Sequence, residues 1–261
     1  MALITETSLR ALLIKGIPDP FPVAEGDKLT PAAADFLKGR GIPIRRCGEE
    51  PAKLPGRTEA GNLHIPVGVS SRHAHLSPEH VEALFGRGYS LTPMRELSQK
   101  GQYAAHETVT LIGSKGIIQN VRILGPSRGA TQVEISRTDG FALGVHPPVR
   151  LSGQTEGTPG ITLAGAKGTV VLPEGLIVAK NHVHMPPSDA MRFGVEQGDR
   201  LILQTTGERP VIFAEAAIRV NERFTLDFHI DTDEANAAGL STGDAVRMIG
   251  KNGEITGSVR G

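Results

Sequence analysis

The chain has 261 residues, enough for one large domain or two modest ones, each with its own core. Lys plus Arg and Asp plus Glu balance at 28 each, so the charge gives no indication of a nucleic acid or an anionic membrane as a partner. The single cysteine, Cys47, excludes an internal disulfide, fits a reducing cytoplasm and lies in no catalytic motif. No apolar run has the length of a membrane span, and no secretory signal precedes the first polar residues.

Residues 1–60 are predicted to form a helical N-terminal leader followed by a linker. A short amphipathic helix is predicted over residues 5–14, where leucines recur along one stripe. A second helix is predicted to begin at Thr30-Pro31, because threonine followed by proline is typical of a helix start, and to end near Gly39 or Gly41. These helices could be a docking leader or a cap on the remaining chain, and the sequence leaves both open.

From Leu63 onward the pattern predicts short strands joined by tight turns. Three turns share two glycines and a lysine, at residues 111–116, 163–168 and 248–253. Their glycines are expected to supply the positive φ that tight turns need. Short helices are predicted at residues 77–85, 188–193 and 233–238. Regular short strands, brief helices and internal duplication together predict a mainly β, pseudo-duplicated fold of two small β-barrels capped by short α-helices.

Two histidine pairs, His73-Ala74-His75 and His182-Val183-His184, lie in matching contexts. Residues 67–78 align with residues 176–187 without gaps, and each pair follows an apolar strand. Residues two apart face the same side of a strand, so each pair directs two imidazoles toward one point. Neutral imidazole is the commonest side-chain metal ligand. The duplication therefore predicts two half-sites of one metal centre, whereas a single pair would more often be a surface feature.

A third, partial copy of this pattern contains His229. The residues Asp189, Gly194 and Gly198 follow His184 at the same offsets as Glu234, Gly239 and Gly243 follow His229. Alternation predicts a strand that directs Phe224, Leu226, Phe228 and Ile230 to one side. Asp227 and His229 would then face the other side. Its place in the repeat makes His229 a predicted ligand.

A carboxylate is expected beside five histidines that hold divalent cations. Glu134 is the best candidate, because Val133 and Ile135 face one side of their strand and Glu134 the other. An ordinary solvated glutamate is the alternative. Glu107 is a second candidate, but it shares its face with apolar residues. Two sets of three ligands would leave open coordination positions, which are typical of catalytic zinc, and an open metal can polarise a carbonyl, hold a thiolate or orient an anion.

An anion-binding arginine is predicted shortly before Glu134. Arg128 lies in a glycine-bearing loop, residues 125–131, and a guanidinium can bind phosphate oxygens through two parallel hydrogen bonds. By itself, Arg128 would more often be a surface arginine. Phe141, further along the chain, would from the sequence alone be a core residue.

Three segments resemble the signature segments of the propanediol-utilisation type phosphotransacylases, a family of phosphate propanoyltransferases. They are Val69–Ser77, Leu124–Arg128 with Thr131–Glu134, and Ala179–Met185. Their order and spacing match the family over residues 63–249. The chain has Ser71 where the family usually has asparagine, a difference that affects no ligand.

The resemblance implies a two-barrel enzyme with two zinc ions per chain. It implies reversible transfer of a short acyl group, propanoyl or acetyl, between coenzyme A and inorganic phosphate, which gives an acyl phosphate. It also implies discontinuous domains, with residues 61–72 and 180–250 in one barrel and residues 73–179 in the other. A homodimer or higher oligomer is expected.

The same resemblance implies the roles of the site residues. One zinc ion is expected at His73, His75 and Glu134, and the other at His182, His184 and His229. Arg128 is the expected catalytic, phosphate-binding arginine, and Phe141 is expected to pack against coenzyme A.

Residues 1–44 resemble the leader segments of cargo enzymes in bacterial microcompartments. This resemblance predicts a cytoplasmic enzyme inside such a compartment, with shell proteins as partners. Two other classes stay open, a zinc-dependent hydrolase of an ester or amide and a non-catalytic metal-binding shell adaptor. The Arg128 loop, and the lack of an obvious proton shuttle beside the histidine pairs, favour the acyltransferase.

Overall fold

The computed structural model describes residues 3–12, 17–18, 21–24, 26–38, 40, 42, 44–46 and 63–256. The chain forms two compact units, residues 1–59 and residues 60–261. Cys47 and most of the predicted linker lie outside the described residues.

The smaller unit contains both predicted helices together with four short strands. Its elements are β1 (Leu3–Ile4), α1 (Glu6–Leu12), β2 (Phe21–Val23), β3 (Lys28–Leu29), α2 (Pro31–Lys38) and β4 (Ile44–Arg46). The strands form two parallel pairs, β1 with β3 and β2 with β4. The backbone N–H of Ala33 donates to the Thr30 hydroxyl over 3.3 Å, so the predicted start of α2 is confirmed. Residues 13–14 of the first predicted helix lie outside the described residues.

The larger unit holds all the histidine-bearing strands. Its elements are β5 (His64–Ser70), β6 (His73–His75), α3 (Pro78–Phe85), β7 (Pro93–Glu96), β8 (Tyr103–Ile112), β9 (Ile117–Gly125), β10 (Gln132–Glu134), α4 (Arg137–Leu143), β11 (Val149–Arg150), β12 (Thr162–Ala164), β13 (Thr169–Val171), β14 (Leu176–Ala179), β15 (His182–Met185), α5 (Pro187–Phe193), β16 (Arg200–Gln204), β17 (Ile212–Val220), β18 (Asp227–Asp231), α6 (Thr232–Ala238), β19 (Ala245–Lys251) and β20 (Glu254–Ile255).

Six strands of this unit close into a barrel. Their order is β16-β17-β15-β18-β5-β19, and the ring closes because β16 pairs with both β17 and β19. Its core includes Val183 and Phe228, both 0% exposed. β15 and β18, which carry His182, His184 and His229, are neighbours in this barrel.

The remaining strands form a second sheet that curls into a half-barrel, here called the open sheet. Its order is β11-β14-β10-β6-β9-β8-β12-β13, with β7 paired to β8. Val133 and Leu163, both 0% exposed, belong to its core. The predicted mainly β fold with short helices is confirmed, with one sheet closed and the other open. The residue boundaries of the two predicted domains stay a prediction.

Close packing, and not positive φ, explains the glycines in two of the lysine-bearing turns. Gly116 and Gly165 do not have positive φ, so that expectation is wrong here, although it is right at Gly253, where φ is 85°. A Cβ atom on Gly165 would lie 2.6 Å from the carbonyl oxygen of Leu84, and one on Gly116 would lie 2.7 Å from that of Ala142. Each turn therefore packs against the C-terminal end of a helix, α3 or α4.

The strand–helix repeat predicted after His184 and His229 is present. α5 and α6 each end at a left-handed glycine, Gly194 or Gly239, both with φ of 65°. The next matched glycines also agree, with φ of 95° after α5 and 96° after α6. Equal backbone angles at matched positions make the sequence repeat a structural one. None of the helices in the described part of the chain has the length and apolarity needed to cross a membrane.

Candidate metal and anion site

A cavity of about 740 Å³ is lined by residues of both the barrel and the open sheet. This volume is in the usual range for small-molecule sites. The residues that line it include all six predicted ligands and the predicted arginine: His73, His75, Glu134, His182, His184, His229 and Arg128. Sheet pairing thus brings together side chains from four separate parts of the sequence.

The half-site in the open sheet is formed by β6 and β10. These strands are antiparallel, and Glu134 lies directly opposite His73. Nε2 of His73 is 3.4 Å from Oε2 of Glu134. The ligand atoms of His73, His75 and Glu134 all lie within 4.8 Å of one another. Val133 and Ile135 are buried in the core, so Glu134 is directed to the cavity, as the alternation predicted.

The half-site in the barrel repeats this arrangement with β15 and β18. These strands are also antiparallel, and His229 lies directly opposite His182. The ring centroids are 5.2 Å apart for His182 and His229, 4.6 Å for His182 and His184, and 4.7 Å for His184 and His229. In register, Glu134 is therefore the counterpart of His229.

The first histidine of each pair has the same tautomer. Nδ1 of His73 donates to the carbonyl oxygen of Ser71 over 2.9 Å, and Nδ1 of His182 donates to that of Lys180 over 2.8 Å. A carbonyl oxygen can only accept, so Nδ1 carries a proton, and in the neutral ring Nε2 is then the nitrogen with the free lone pair. A backbone partner on one ring nitrogen is the usual arrangement for a histidine that binds a metal through the other.

His184 is a buried polar side chain without a partner. Neither of its ring nitrogens forms a hydrogen bond, although both are inaccessible to solvent. Buried polar atoms of this kind are rare, because each costs about 1–3 kcal/mol when unsatisfied.

The ring of Phe224 stacks on His184 at a centroid distance of 4.0 Å. The prediction that Phe224 shares the core face of Phe228 is therefore wrong, because Phe224 precedes β18 and covers the histidine.

Four imidazoles of the site, those of His75, His182, His184 and His229, are held in the neutral form. Burial, then His73 and Arg128, lower the pKa of His75 to about 3. Burial and then His229 lower the pKa of His182 to about 4, and burial and then His182 lower that of His184 to about 2. Burial also lowers the pKa of His229 to about 4. Neutral rings are the form that binds a metal.

Glu134 is ionised in this setting. Burial by itself would raise the pKa of the Glu134 carboxyl, but the nearby His73 and a hydrogen bond from Ser152 outweigh that effect and lower it. Gln132 donates its side-chain amide to Oε1 of Glu134 over 2.6 Å. The other carboxylate oxygen, Oε2, is the one that faces His73.

The helix after each third ligand is tied back to the strand that carries the histidine pair. Arg72 precedes His73 and forms an ion pair of 2.7 Å with Asp139 of α4. Asn181 precedes His182 and donates to Glu234 of α6 over 2.6 Å. Both carboxylates belong to capping boxes at the start of their helices. The two half-sites are therefore supported in the same way.

Arg128 and Arg219 are two of the five arginines that line the cavity; the others are Arg72, Arg95 and Arg122. Arg128 follows β9, and its backbone N–H donates to the carbonyl oxygen of Leu76 over 3.0 Å. Arg219 lies on β17 in register with His184, and burial, followed by the charge of Arg128, lowers its pKa. The sequence analysis missed Arg219, although the alternation along its strand could have indicated which face of the strand its side chain lies on. The cavity thus combines metal-type ligands with several cationic side chains, Arg128 and Arg219 among them.

Phe141 lies outside the set of residues that line the cavity. It belongs to α4, is 70% exposed and contacts the ring of His146 at a centroid distance of 5.0 Å. The expectation from the sequence alone that Phe141 is a core residue is wrong, because its position on the short helix α4 faces solvent. Its predicted contact with coenzyme A stays a prediction.

Glu107 is engaged away from the cavity. Its carboxylate accepts from the Tyr89 hydroxyl over 2.8 Å and from the Thr92 backbone N–H over 3.0 Å. It does not line the cavity, so the second candidate for the carboxylate is wrong, whereas Glu134 does line the cavity.

The sequence contained a further signal for Glu134. Asp139 and Gly144 follow Glu134 at the offsets at which Glu234 and Gly239 follow His229. Gly144 ends α4 in the left-handed conformation with φ of 75°. The repeat therefore extends to Glu134, and this could have identified it as a ligand position without any resemblance.

The chain is similar to known enzymes over most of its length. The sequence model of the family described as phosphate propanoyltransferase matches residues 66–241. The phosphate propanoyltransferase of Thermotoga maritima is 59% identical over 186 residues, which cover 71% of this chain and 89% of that protein. The phosphate propanoyltransferases of Lachnoclostridium phytofermentans and Priestia megaterium are 51% and 53% identical, over 76% and 74% of this chain and 91% and 88% of those proteins.

The fold, the cavity and these similarities define the chain as a phosphate acyltransferase, an enzyme of acyl transfer between coenzyme A and phosphate. The chain belongs to the phosphate propanoyltransferase family, the propanediol-utilisation type of phosphotransacylase. The resemblance drawn from three short segments is thereby confirmed.

Replacing His184 by leucine should stabilise the metal-free protein. The substitution removes two unpartnered buried nitrogens, and we expect the free energy of unfolding to rise by about 1–3 kcal/mol. Urea unfolding of the chelator-treated protein measures this change. The matched control is His182→Leu, which loses the hydrogen bond to Lys180 and should be destabilised. Equal destabilisation by both substitutions would contradict the prediction.

Proposed function

We propose that the chain catalyses the reversible transfer of a short acyl group, propanoyl or acetyl, between coenzyme A and inorganic phosphate at a site that holds two zinc ions. One observation carries the metal part of this proposal. Two half-sites of matched register, each a His-x-His strand paired with a third ligand, face one cavity that Arg128 and Arg219 also line.

The residues fit such ions in donor type and in protonation. His73, His75 and Glu134 would hold one ion, and His182, His184 and His229 the other. Imidazole and carboxylate donors suit zinc, and three protein ligands leave positions open for substrate. When bound, the ions would act as Lewis acids that offset the charge of phosphate and of the departing thiolate. The unpartnered nitrogens of His184 support this assignment, because a metal ion would satisfy one of them.

Arg128 and Arg219 would bind and orient the phosphate. Neither guanidinium forms an ion pair with a carboxylate among the described residues, so both remain available to an anion. A planar guanidinium can engage two phosphate oxygens at once, which fixes the orientation of the nucleophile. The walls of the cavity would limit the access of water, which competes with phosphate for the thioester.

Direct attack by phosphate is proposed in place of an acyl-enzyme intermediate. A phosphate oxygen would bond to the acyl carbon while the carbon–sulfur bond breaks and coenzyme A leaves as the thiolate. A serine nucleophile would need an imidazole at its hydroxyl as a base. Among the described residues of the cavity, Ser98 donates instead to Asp227 over 2.7 Å, and Ser152 accepts from Gln132 over 2.9 Å.

Thiol release from propanoyl-CoA tests the reaction and its dependence on metal. We expect release that requires phosphate, is lost after treatment with a chelator and returns when zinc is added, because the chelator would remove the zinc ions that the proposed transfer requires. Release in the absence of phosphate would support the alternative, a zinc-dependent hydrolase. No release under any condition would support a non-catalytic metal-binding protein.

Arg128→Ala should raise the KM for phosphate. The loss of a charge-assisted, two-bond contact is expected to cost about 10- to 100-fold in phosphate affinity, with a smaller effect on acyl-CoA. Steady-state kinetics with each substrate varied in turn measures both constants. Phe141→Ala is the matched comparison and should raise the KM for acyl-CoA alone. An unchanged phosphate KM in Arg128→Ala would remove Arg128 from the phosphate site.

We also propose that residues 1–44 deliver the enzyme to a bacterial microcompartment and that the chain forms a homodimer or higher oligomer. α1 and α2 bury Leu9, Phe36 and Leu37 in their own core, so a shell contact would use outer residues such as Leu3, which is 64% exposed. Residues 60–261 form a compact unit that contains the whole cavity.

Removal of residues 1–59 should therefore leave the activity unchanged and abolish enrichment of the enzyme in purified shells. Co-purification of full-length and truncated enzyme with shells, at matched expression, measures the second effect. A truncated enzyme that still enters the shells would assign targeting to another part of the chain.

A further inference from the structure

Each half-site contains one carboxylate, but at a different position of the repeat. The register of β10 and β18 matches Gln132-Val133-Glu134 with Asp227-Phe228-His229. In the open sheet the third ligand is the acid, and the residue two positions before it is a neutral amide. In the barrel the third ligand is a neutral imidazole, and the residue two positions before it is an acid. The carboxylate has therefore exchanged places with a neutral group.

Gln132 has the environment of a residue that positions a ligand. It is 5% exposed, and its amide nitrogen donates to Oε1 of Glu134 and to the hydroxyl of Ser152. Its amide oxygen accepts from the backbone N–H of Gly153 over 2.7 Å. All the polar atoms of this side chain are thus in use, and Glu134 is fixed with Oε2 toward His73.

Asp227 has a matching environment in the barrel. It is 7% exposed, lines the cavity and accepts a hydrogen bond of 2.7 Å from the hydroxyl of Ser98. Oδ2 of Asp227 lies 3.5 Å from Nε2 of His229, close to the 3.4 Å that separates Oε2 of Glu134 from Nε2 of His73. Two donor atoms on one zinc ion lie about 3.3 Å apart. The carboxylate of Asp227 is therefore about as near to His229 as that of Glu134 is to His73.

Gly68 provides the space for this carboxylate. It lies on β5 beside His229, and a Cβ atom at this position would be 2.8 Å from Oδ2 of Asp227. The residue at the matched position of the sequence repeat is Ile177. Glycine is thus present in the copy whose neighbouring strand carries Asp227, and a large side chain is present in the other copy.

Charge explains why each half-site needs one acid. Three neutral imidazoles leave the two positive charges of a divalent ion uncompensated in a buried site, where an unpaired charge is costly. One carboxylate per half-site halves that charge, wherever in the half-site it lies. We propose that Asp227 supplies the compensating charge of the barrel half-site, in the position that Gln132 occupies in the open sheet. This inference rests on the two-metal part of the proposed function.

Metal binding by substituted proteins tests the proposal. Full-length protein is stripped with a chelator and titrated with zinc against a competing chromophoric chelator, which gives the number of ions and their dissociation constants. Asp227→Asn is expected to weaken one of two ions about 10- to 100-fold, and Gly68→Ala to weaken the same ion by displacing the carboxylate. Glu215→Gln removes an equal charge from an exposed residue outside the cavity and should change neither constant.

The double substitutions separate charge from local damage. Glu134→His keeps a ligand but removes the acid, so it should weaken the ion of the open sheet, and adding Gln132→Asp should recover most of the lost affinity. Asp227→Gln alone should bind one of the two ions weakly. The converse double substitution, Asp227→Gln with His229→Glu, should restore tight binding of both ions. Circular dichroism and unfolding of each metal-free variant verify that it is folded.

Two results would overturn different claims. If wild-type protein binds two ions and Asp227→Asn binds them equally well, or if neither double substitution binds better than its single parent, Asp227 does not compensate the charge. If wild-type protein binds fewer than two ions, the two-metal site itself is refuted, and the assignment of Asp227 is refuted with it.

Discussion

The antiparallel pairing of each His-x-His strand with a second ligand strand is the constraint on which the whole cavity depends. In this register His73 lies opposite Glu134 and His182 opposite His229. Side chains at opposed positions share a face about 5 Å apart, so three donor groups converge without a loop closing over them. A shift of the strand register by one residue would direct every donor side chain of that strand into the core. The fully buried Val133 and Val183 between the donors oppose such a slip.

This convergence has an electrostatic cost, and the surrounding contacts are organised to offset it. Packed imidazoles cannot all be charged, and burial keeps the pKa values of His75, His182, His184 and His229 far below the usual range. The rings that have a backbone partner are fixed in one tautomer, so their lone pairs are directed to the cavity. Preorganised donors of this kind do not need to reorganise when a ligand arrives. Glu134 is then the one acid among the six predicted ligands.

Much of the site followed from the sequence because its information is local and periodic. The alternation of side chains along a strand puts His73 and His75 on the same face. The offsets shared by the repeats give Glu134 and His229 equivalent positions, although the two residues lie in different sheets. Errors arose where periodicity was extended past the end of an element or where the partner was distant. Phe224 precedes β18 and stacks on His184 instead of following the core face. Gly165 is needed because a helix end from elsewhere in the chain approaches it.

The sequence by itself determined the candidate ligands, their pairing on strands, the duplication and the family, because each is encoded in residues a few positions apart. Only the tertiary structure decided that one sheet closes and the other stays open, since closure depends on the pairing of β16 with β19 across the chain. It also decided that Arg219 lines the same cavity as Arg128, and that Asp227 lies beside His229 in the space that Gly68 leaves open. Such contacts arise when strands distant in sequence are packed side by side, and no local pattern records which neighbours they will meet.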